Sequence, residues 1–150
     1  MITQQTPIKS GFGPKTTAGE VLAGQDLSGT LAIVTGGHSG LGLETTLALA
    51  DAGARVIVAC RAPAAAKAVL GLSAGVEIAE LDLADLNSVR RFAADFTASS
   101  LRADIVINNA GVMACPEARV GHGWERQFAT NHLGHYALTN LLWPTIADGG

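Results

Sequence analysis

A short apolar run, Leu31–Thr35 (LAIVT), leads straight into a glycine-studded turn, Gly36-Gly37-His38-Ser39-Gly40-Leu41-Gly42, and a helical pattern starts inside that turn. No other stretch of the chain constrains the fold as tightly. An apolar run of this length bounded by glycines reads as a strand buried on both faces. Over 40–52, Leu43, Leu47 and Ala50 fall on one helical face, and Gly53 is a natural stop. A buried strand feeding directly into such a helix is the opening of a parallel crossover unit, because neighbouring parallel strands need a covering connection.

The alternation then repeats. Residues 55–60 (RVIVAC) read as a second buried strand, the Ala-rich 63–71 as a helix, and 76–81 as a third strand. Asp85 is placed to cap a helix carrying Leu86, Val89, Phe92, Ala93 and Phe96 on one stripe. A fourth strand, 104–107, enters Asn108-Asn109-Ala110-Gly111. A long helix is expected from about 122 to 147, with Phe128, Asn131, His135, Leu138 and Leu142 near one face. Residues 1–28, punctuated by Pro and Gly, read as a leader with one helical turn near 17–23. The expected fold is α/β, a doubly wound parallel (Rossmann) sheet over 29–150, truncated after the fourth strand and the long helix. Its strands should order as 3-2-1-4, leaving the apolar fourth strand on an edge, so a marginally stable, self-associating chain is expected.

Composition excludes several classes. With 48% apolar and 15% charged residues the chain can bury a core. A net charge of −3 offers no broad basic face, so no nucleic-acid partner is expected. No apolar run approaches the roughly 18 residues of a membrane span. The start of the chain has no apolar signal core, and a cytoplasmic location is expected. Cys60 and Cys115 are too few for a disulfide framework or a zinc site. His132 and His135, with His122 and Glu125 nearby, are read as helix pattern rather than metal ligands.

The glycine turn carries the first chemical signal. A pyrophosphate is held by backbone N–H groups at a helix N-terminus, reached only where glycines let the backbone come close. Gly36 would allow the turn, Gly40 would leave room for phosphate, and Gly42 would let helix meet strand; His38, Ser39 and Leu41 complete the same cofactor-binding loop. The spacing is T-G-x-x-x-G-x-G rather than G-x-G-x-x-G, and no Lys-Ser/Thr follows as in a phosphate loop. After the second strand stand Cys60 and Arg61, with no carboxylate to bond a ribose 2′-OH. Arg61 can pair a 2′-phosphate, which favours NADP(H) over NAD(H). An ordinary tight turn and a solvated Arg are the plain alternatives.

Together with LDLAD (81–85), INNAG (107–111) and TNHLGHYALTNLL (130–142), this turn resembles the short-chain dehydrogenase/reductase family over about 17–150. The leader and VIVACR look like the retinol-dehydrogenase and WW-domain-containing-oxidoreductase subgroup. The resemblance implies that Asp82 contacts adenine, that Leu83 lends a backbone N–H, and that Asn109, Ala110 and Gly111 pass beside the cofactor riboses. Asp82 as a simple turn residue is the alternative. Asn108 is read as tying strands through their backbones.

The family moves hydride between nicotinamide and a carbonyl/alcohol pair, using a Tyr-x-x-x-Lys acid/base, a Ser, and a helical Asn that orders a water. Asn131 matches that Asn, the alternative being an Asn bonded to its own helix. Tyr136 is the single tyrosine and is followed by Asn140 where the motif requires Lys. It is read as packing or as cofactor-side lining. Ser and Tyr-x-x-x-Lys are expected beyond Gly150, in a protein of roughly twice this length. The chain alone is therefore expected to bind cofactor without turnover, or to be a non-catalytic NADP(H)-binding module. An S-adenosylmethionine enzyme is disfavoured by the Asn-Asn-Ala-Gly turn. Partners are expected to be a small carbonyl or alcohol substrate and a further copy of the chain; Met113 and Cys115 line a substrate entrance or pack as ordinary loop.

Overall fold

The computed structural model describes residues 9–71 and 73–146. Positions 1–8 of the leader and position 147, where the long helix was expected to end, lie outside them. Thr17 caps a single turn, α1 (Ala18–Leu22): its hydroxyl accepts from Glu20 N at 3.2 Å, and Glu20 answers by accepting from Thr17 N at 2.7 Å.

Four strands form the parallel sheet: β1 (Leu31–Thr35), β2 (Arg55–Cys60), β3 (Val76–Glu80) and β4 (Ile105–Ile107), in the order β3-β2-β1-β4. The expected architecture and strand order are both borne out. Side chains alternate across each strand. Leu31, Ile33, Ile57 and Ala59 therefore face one apolar layer, with Phe92, Phe96, Leu138 and Leu142 covering them. Ala32, Val34, Val56 and Val58 face the other, covered by Leu49, Ala66 and Leu70. This two-sided burial is why LAIVT and VIVAC carry no polar alternation.

The second layer is supplied by α2 (Gly40–Asp51) and α3 (Pro63–Leu70), the latter with Pro63 in its first turn, where a missing N–H costs nothing. The first layer is supplied by α4 (Leu86–Ala98), capped as expected by the Asp85 carboxylate on Asn87 N at 2.9 Å. On the β4 side, the Asp104 carboxylate accepts from Leu31 N at 2.8 Å. That bond fastens the strand's start before its three-residue ladder begins.

The segment after β4 departs from expectation. No helix starts at 122. Residues 119–125 form a small hairpin, β5 (Arg119–Val120) and β6 (Trp124–Glu125), turned by Gly121 and Gly123 at φ +54° and +94°. The helix starts only where Glu125 caps it, its carboxylate accepting from Gln127 N at 2.9 Å and Phe128 N at 2.8 Å. One turn, α5 (Arg126–Phe128), passes into a π-helical turn over Ala129–Leu133, then α6 (Gly134–Leu142) and a 3₁₀ turn, Trp143–Thr145.

The π turn corrects the expected stripe. Gly134 N donates to Ala129 O, five residues back, and the extra residue rotates everything after it relative to what comes before. His135, Leu138 and Leu142 are buried, whereas Phe128 and Asn131 are exposed. Tyr136 is 65% exposed and does not pack in the core. Among the described residues, no helix is long and apolar enough to cross a membrane.

Candidate functional site

The carboxyl ends of the parallel strands open onto a cleft of about 450 Å³, the position where open α/β sheets bind ligands. The glycine turn contributes Gly36, His38, Ser39, Leu41 and Gly42. The exits of β2 and β3 contribute Cys60, Arg61, Ala62, Asp82 and Leu83. The segment after β4 contributes Asn109, Ala110, Gly111 and Val112. The structure thus brings together every expected cofactor residue except Gly40, which is exposed at the start of α2 and is not part of the lining.

Backbone conformation builds the first wall. Gly36 is left-handed at φ +65°, and a Cβ there would stand 3.0 Å from Ala110 Cβ. Gly40 is left-handed at φ +54° with open space around it. Ser39 opens α2 without bonding its amides through its side chain, so these N–H groups stay available at the cleft. The expected role of Gly42 needs correcting. A Cβ there would strike the Asn109 side chain and come within 2.6 Å of Gly36 O, so Gly42 closes the two loops on each other. Gly37 is the residue lodged between helix and strands, its Cβ position 2.5 Å from Thr46 Oγ1 and 3.0 Å from Val58. The paired glycines of Thr-Gly-Gly were the available signal for this.

At the exit of β2, burial pushes the Cys60 thiol up, opposed by a backbone bond from Ala62. Arg61 is exposed at the cleft, and the ion pairs found among the described residues, Arg55–Glu77 and Arg119–Glu117, lie elsewhere. Asp82 does act as a turn residue, accepting from Ala84 N at 2.9 Å through Oδ1, while its own N–H donates to Ser88 at 3.0 Å. It lines the cleft as well, so the two readings of Asp82 are compatible. Leu83 is held from behind by Gly134, whose missing Cβ leaves room for the Leu83 carbonyl.

Side-chain hydrogen bonds build the opposite wall, and here the tie expected of Asn108 is made by its neighbour, which lines the cleft as well. Asn109, not Asn108, ties strands through the backbone, donating from Nδ2 to Thr35 O at 2.8 Å. Asn108 instead donates to Thr139 Oγ1 at 3.1 Å. Asn131 does not bond its own helix through its side chain. Its Oδ1 accepts from Val112 N and its Nδ2 donates to Val112 O, both at 2.8 Å, as a neighbouring strand would. It therefore holds the cleft segment without lining the cleft itself.

Sequence reasoning overlooked Thr35 and Thr130. Thr35 is fully buried at the end of β1 and accepts from Ala110 N at 2.9 Å; Thr130 stands on the cleft lining. A threonine closing an otherwise aliphatic strand was the one signal for the former. Met113 is 89% exposed, and neither it nor Cys115 lines this cleft. Among the described residues, no three His, Cys, Asp or Glu side chains gather as a metal site.

A sequence profile of the family described as short chain dehydrogenase matches residues 30–150. The chain belongs to that family. Human retinol dehydrogenase 13 is 46% identical over 132 residues, covering 84% of this chain and 40% of that protein. The expected resemblance to the retinol-dehydrogenase side of the family is thereby borne out. A crystal structure of an uncharacterized protein from Mycobacterium paratuberculosis is 47% identical with a TM-score of 0.78, covering 89% of this chain and 47% of that one. The RhlG/NADP active-site complex of Pseudomonas aeruginosa is 31% identical with a TM-score of 0.68, over 80% of this chain and 49% of that one. This short-chain dehydrogenase chain spans less than half the length of the curated relatives it matches.

Proposed function

We propose that this chain forms the NADP(H)-binding part of an oxidoreductase acting on a carbonyl/alcohol pair. The observation that carries the reading is the make-up of the cleft: uncapped amides of α2 on one side, and Arg61 with no carboxylate at the exit of β2. The residues present fit such a cofactor. Gly36 and Gly40 take conformations that bring backbone close to a phosphate, and His38 Nδ1 is a buried nitrogen without a protein partner on the cleft wall. Arg61 offers a planar donor fork to a 2′-phosphate, and Asp82 still has a carboxylate oxygen to offer an adenine amine. The P. aeruginosa relative, bound to NADP, supports the same assignment.

When bound, a nicotinamide supplies or accepts the hydride. The chain's own residues hold and orient it, and Asn131 braces the segment that passes beside it. Among the 150 residues the single tyrosine, Tyr136, has Asn140 four positions on, so the family's Tyr-x-x-x-Lys acid/base is not among them. The chain alone is expected to bind nucleotide without turning over, which is also what a non-catalytic binding module would do.

Titration with NADPH and with NADH, followed by nicotinamide fluorescence, tests the reading in the wild type and in Arg61→Glu. Saturable binding that favours NADPH, with the preference lost or reversed in the variant, is the expected result. Equal affinity for both nucleotides would remove Arg61 as selector, and binding of neither would remove the cofactor assignment for this chain.

A further inference from the structure

His135 is 7% exposed, and both its ring nitrogens are engaged. Nδ1 lies 3.1 Å from Asn131 O, and Nε2 lies 2.9 Å from Thr35 Oγ1. A carbonyl oxygen only accepts, so Nδ1 carries the hydrogen. In the neutral ring Nε2 is then an acceptor, and the Thr35 hydroxyl donates to it. The Thr35 oxygen in turn accepts from Ala110 N at 2.9 Å. The Thr35 oxygen also lies 3.4 Å from Ile107 O, but its one hydrogen goes to the nearer Nε2 at 2.9 Å, and each direction in the chain of bonds then follows from the one before it. It starts on the helix residue that braces Val112, passes through the end of β1, and stops on the amide of a cleft residue.

We propose that His135 is a positioning residue of the nucleotide cleft. As the neutral Nδ1–H tautomer it locks the Asn131 main chain with one nitrogen and, through the Thr35 hydroxyl, the Ala110 amide with the other. The two ends of the post-β4 segment, Ala110 and Val112, are thereby held against β1 and the π turn by one continuous set of bonds. Asn131 and His135 stand four residues apart, so both serve this set from the same side of the helix. Burial also favours the neutral ring, with the Asn131 carbonyl opposing it. The consequence for nucleotide affinity rests on the NADP(H) reading above.

Three variants of the full chain test this by NADPH titration. His135→Phe keeps ring volume and loses both nitrogens. His135→Gln keeps an acceptor within reach of the Thr35 hydroxyl. Thr35→Val cuts the relay inside a strand that favours Val, leaving His135 in place. The Phe and Val variants are each expected to bind about tenfold more weakly, the double variant no more weakly than either, and Gln to recover most of the loss. Unchanged affinity in a folded Phe or Val variant, or losses that add, would overturn the proposal.

A second measurement needs no nucleotide. Nitrogen-15 NMR is expected to show the Nδ1–H tautomer in the wild type and a shifted Ala110 amide in both the Phe and Val variants; the opposite tautomer or an unmoved Ala110 amide would overturn the role. If the wild type binds neither NADPH nor NADH, the cofactor reading fails, and the NMR result alone decides for or against His135.

Discussion

The two walls of the cleft are made by different means. The glycine-turn wall is backbone: left-handed glycines, bare helix amides, and close approaches that no Cβ would permit. The facing wall is side chain: Asn109 on Thr35, Asn131 on Val112, and His135 relayed through Thr35 to Ala110. A backbone wall fails by collision, and the collision falls on atoms with nowhere to move. A side-chain wall fails by leaving a buried polar group unpaired, and such groups are lost one at a time.

The sharpest way to break this contrast is at Gly42. Ala there meets Gly36 O and Asn109, so Gly42→Ala is expected to lower stability by about 2–3 kcal/mol, through overpacking. Urea denaturation reads the stability, and NADPH titration should show binding lost altogether. A fall no larger than that of the next variant would erase the distinction between the walls. Asn131→Ala removes both bonds to Val112 and is expected to cost about 0.5–1.5 kcal/mol, the net worth of bonds that water can partly replace at this exposed position, measured the same way.

Acidification acts on the side-chain wall through His135. The folded His135 ring holds its proton less tightly than a free imidazole, whose pKa is 6.5. Above that pH both states are neutral and the network's contribution is complete. As pH falls below 6.5 the unfolded chain binds the proton first, and stability drops until the folded ring titrates as well. Melting temperatures from pH 8 to pH 5 are expected to fall more in the wild type than in His135→Phe. Arg61→Glu is expected to change stability by less than about 0.5 kcal/mol while altering nucleotide preference, because its side chain is exposed. Glu77→Gln breaks the exposed pair with Arg55 without touching the cleft and is expected to cost about 0–1 kcal/mol in denaturant, less at high salt.

The same contrast explains what could be read from the residues. The sheet, its order and the glycine turn follow from local rules, since apolar runs, helix stops and glycine spacing each act within a few residues. Asp85 and Gly36 were legible for that reason. The second wall depends on pairings far apart in sequence: Thr35 with His135 is a contact across 100 positions. Asn108 and Asn109 are chemically identical neighbours, and only the turn after β4, where Asn109 N donates to Ile107 O, decides which one faces Thr35. The π turn left no compositional mark, so the phase of the stripe was right from His135 onward and wrong at Phe128 and Asn131. Gly121 and Gly123 did mark the hairpin, but apolar periodicity running on through Trp124 and Phe128 masked them.

The bond from Leu31 to Asp104 reaches across 73 positions, whereas β1 meets β2 through a single intervening helix. Loop closure makes the shorter pairing the faster one, and strands joined over long separations arrive late. On this ground the cleft is expected to assemble in sequence in time as well as in space. The crossover from β1 to β2 raises the glycine wall first, as a nearly local event. The wall held by Asn109, Asn131 and His135 exists only once β4 has docked, so slower hydrogen exchange on the glycine wall than at Ala110 and Val112 is the expected outcome.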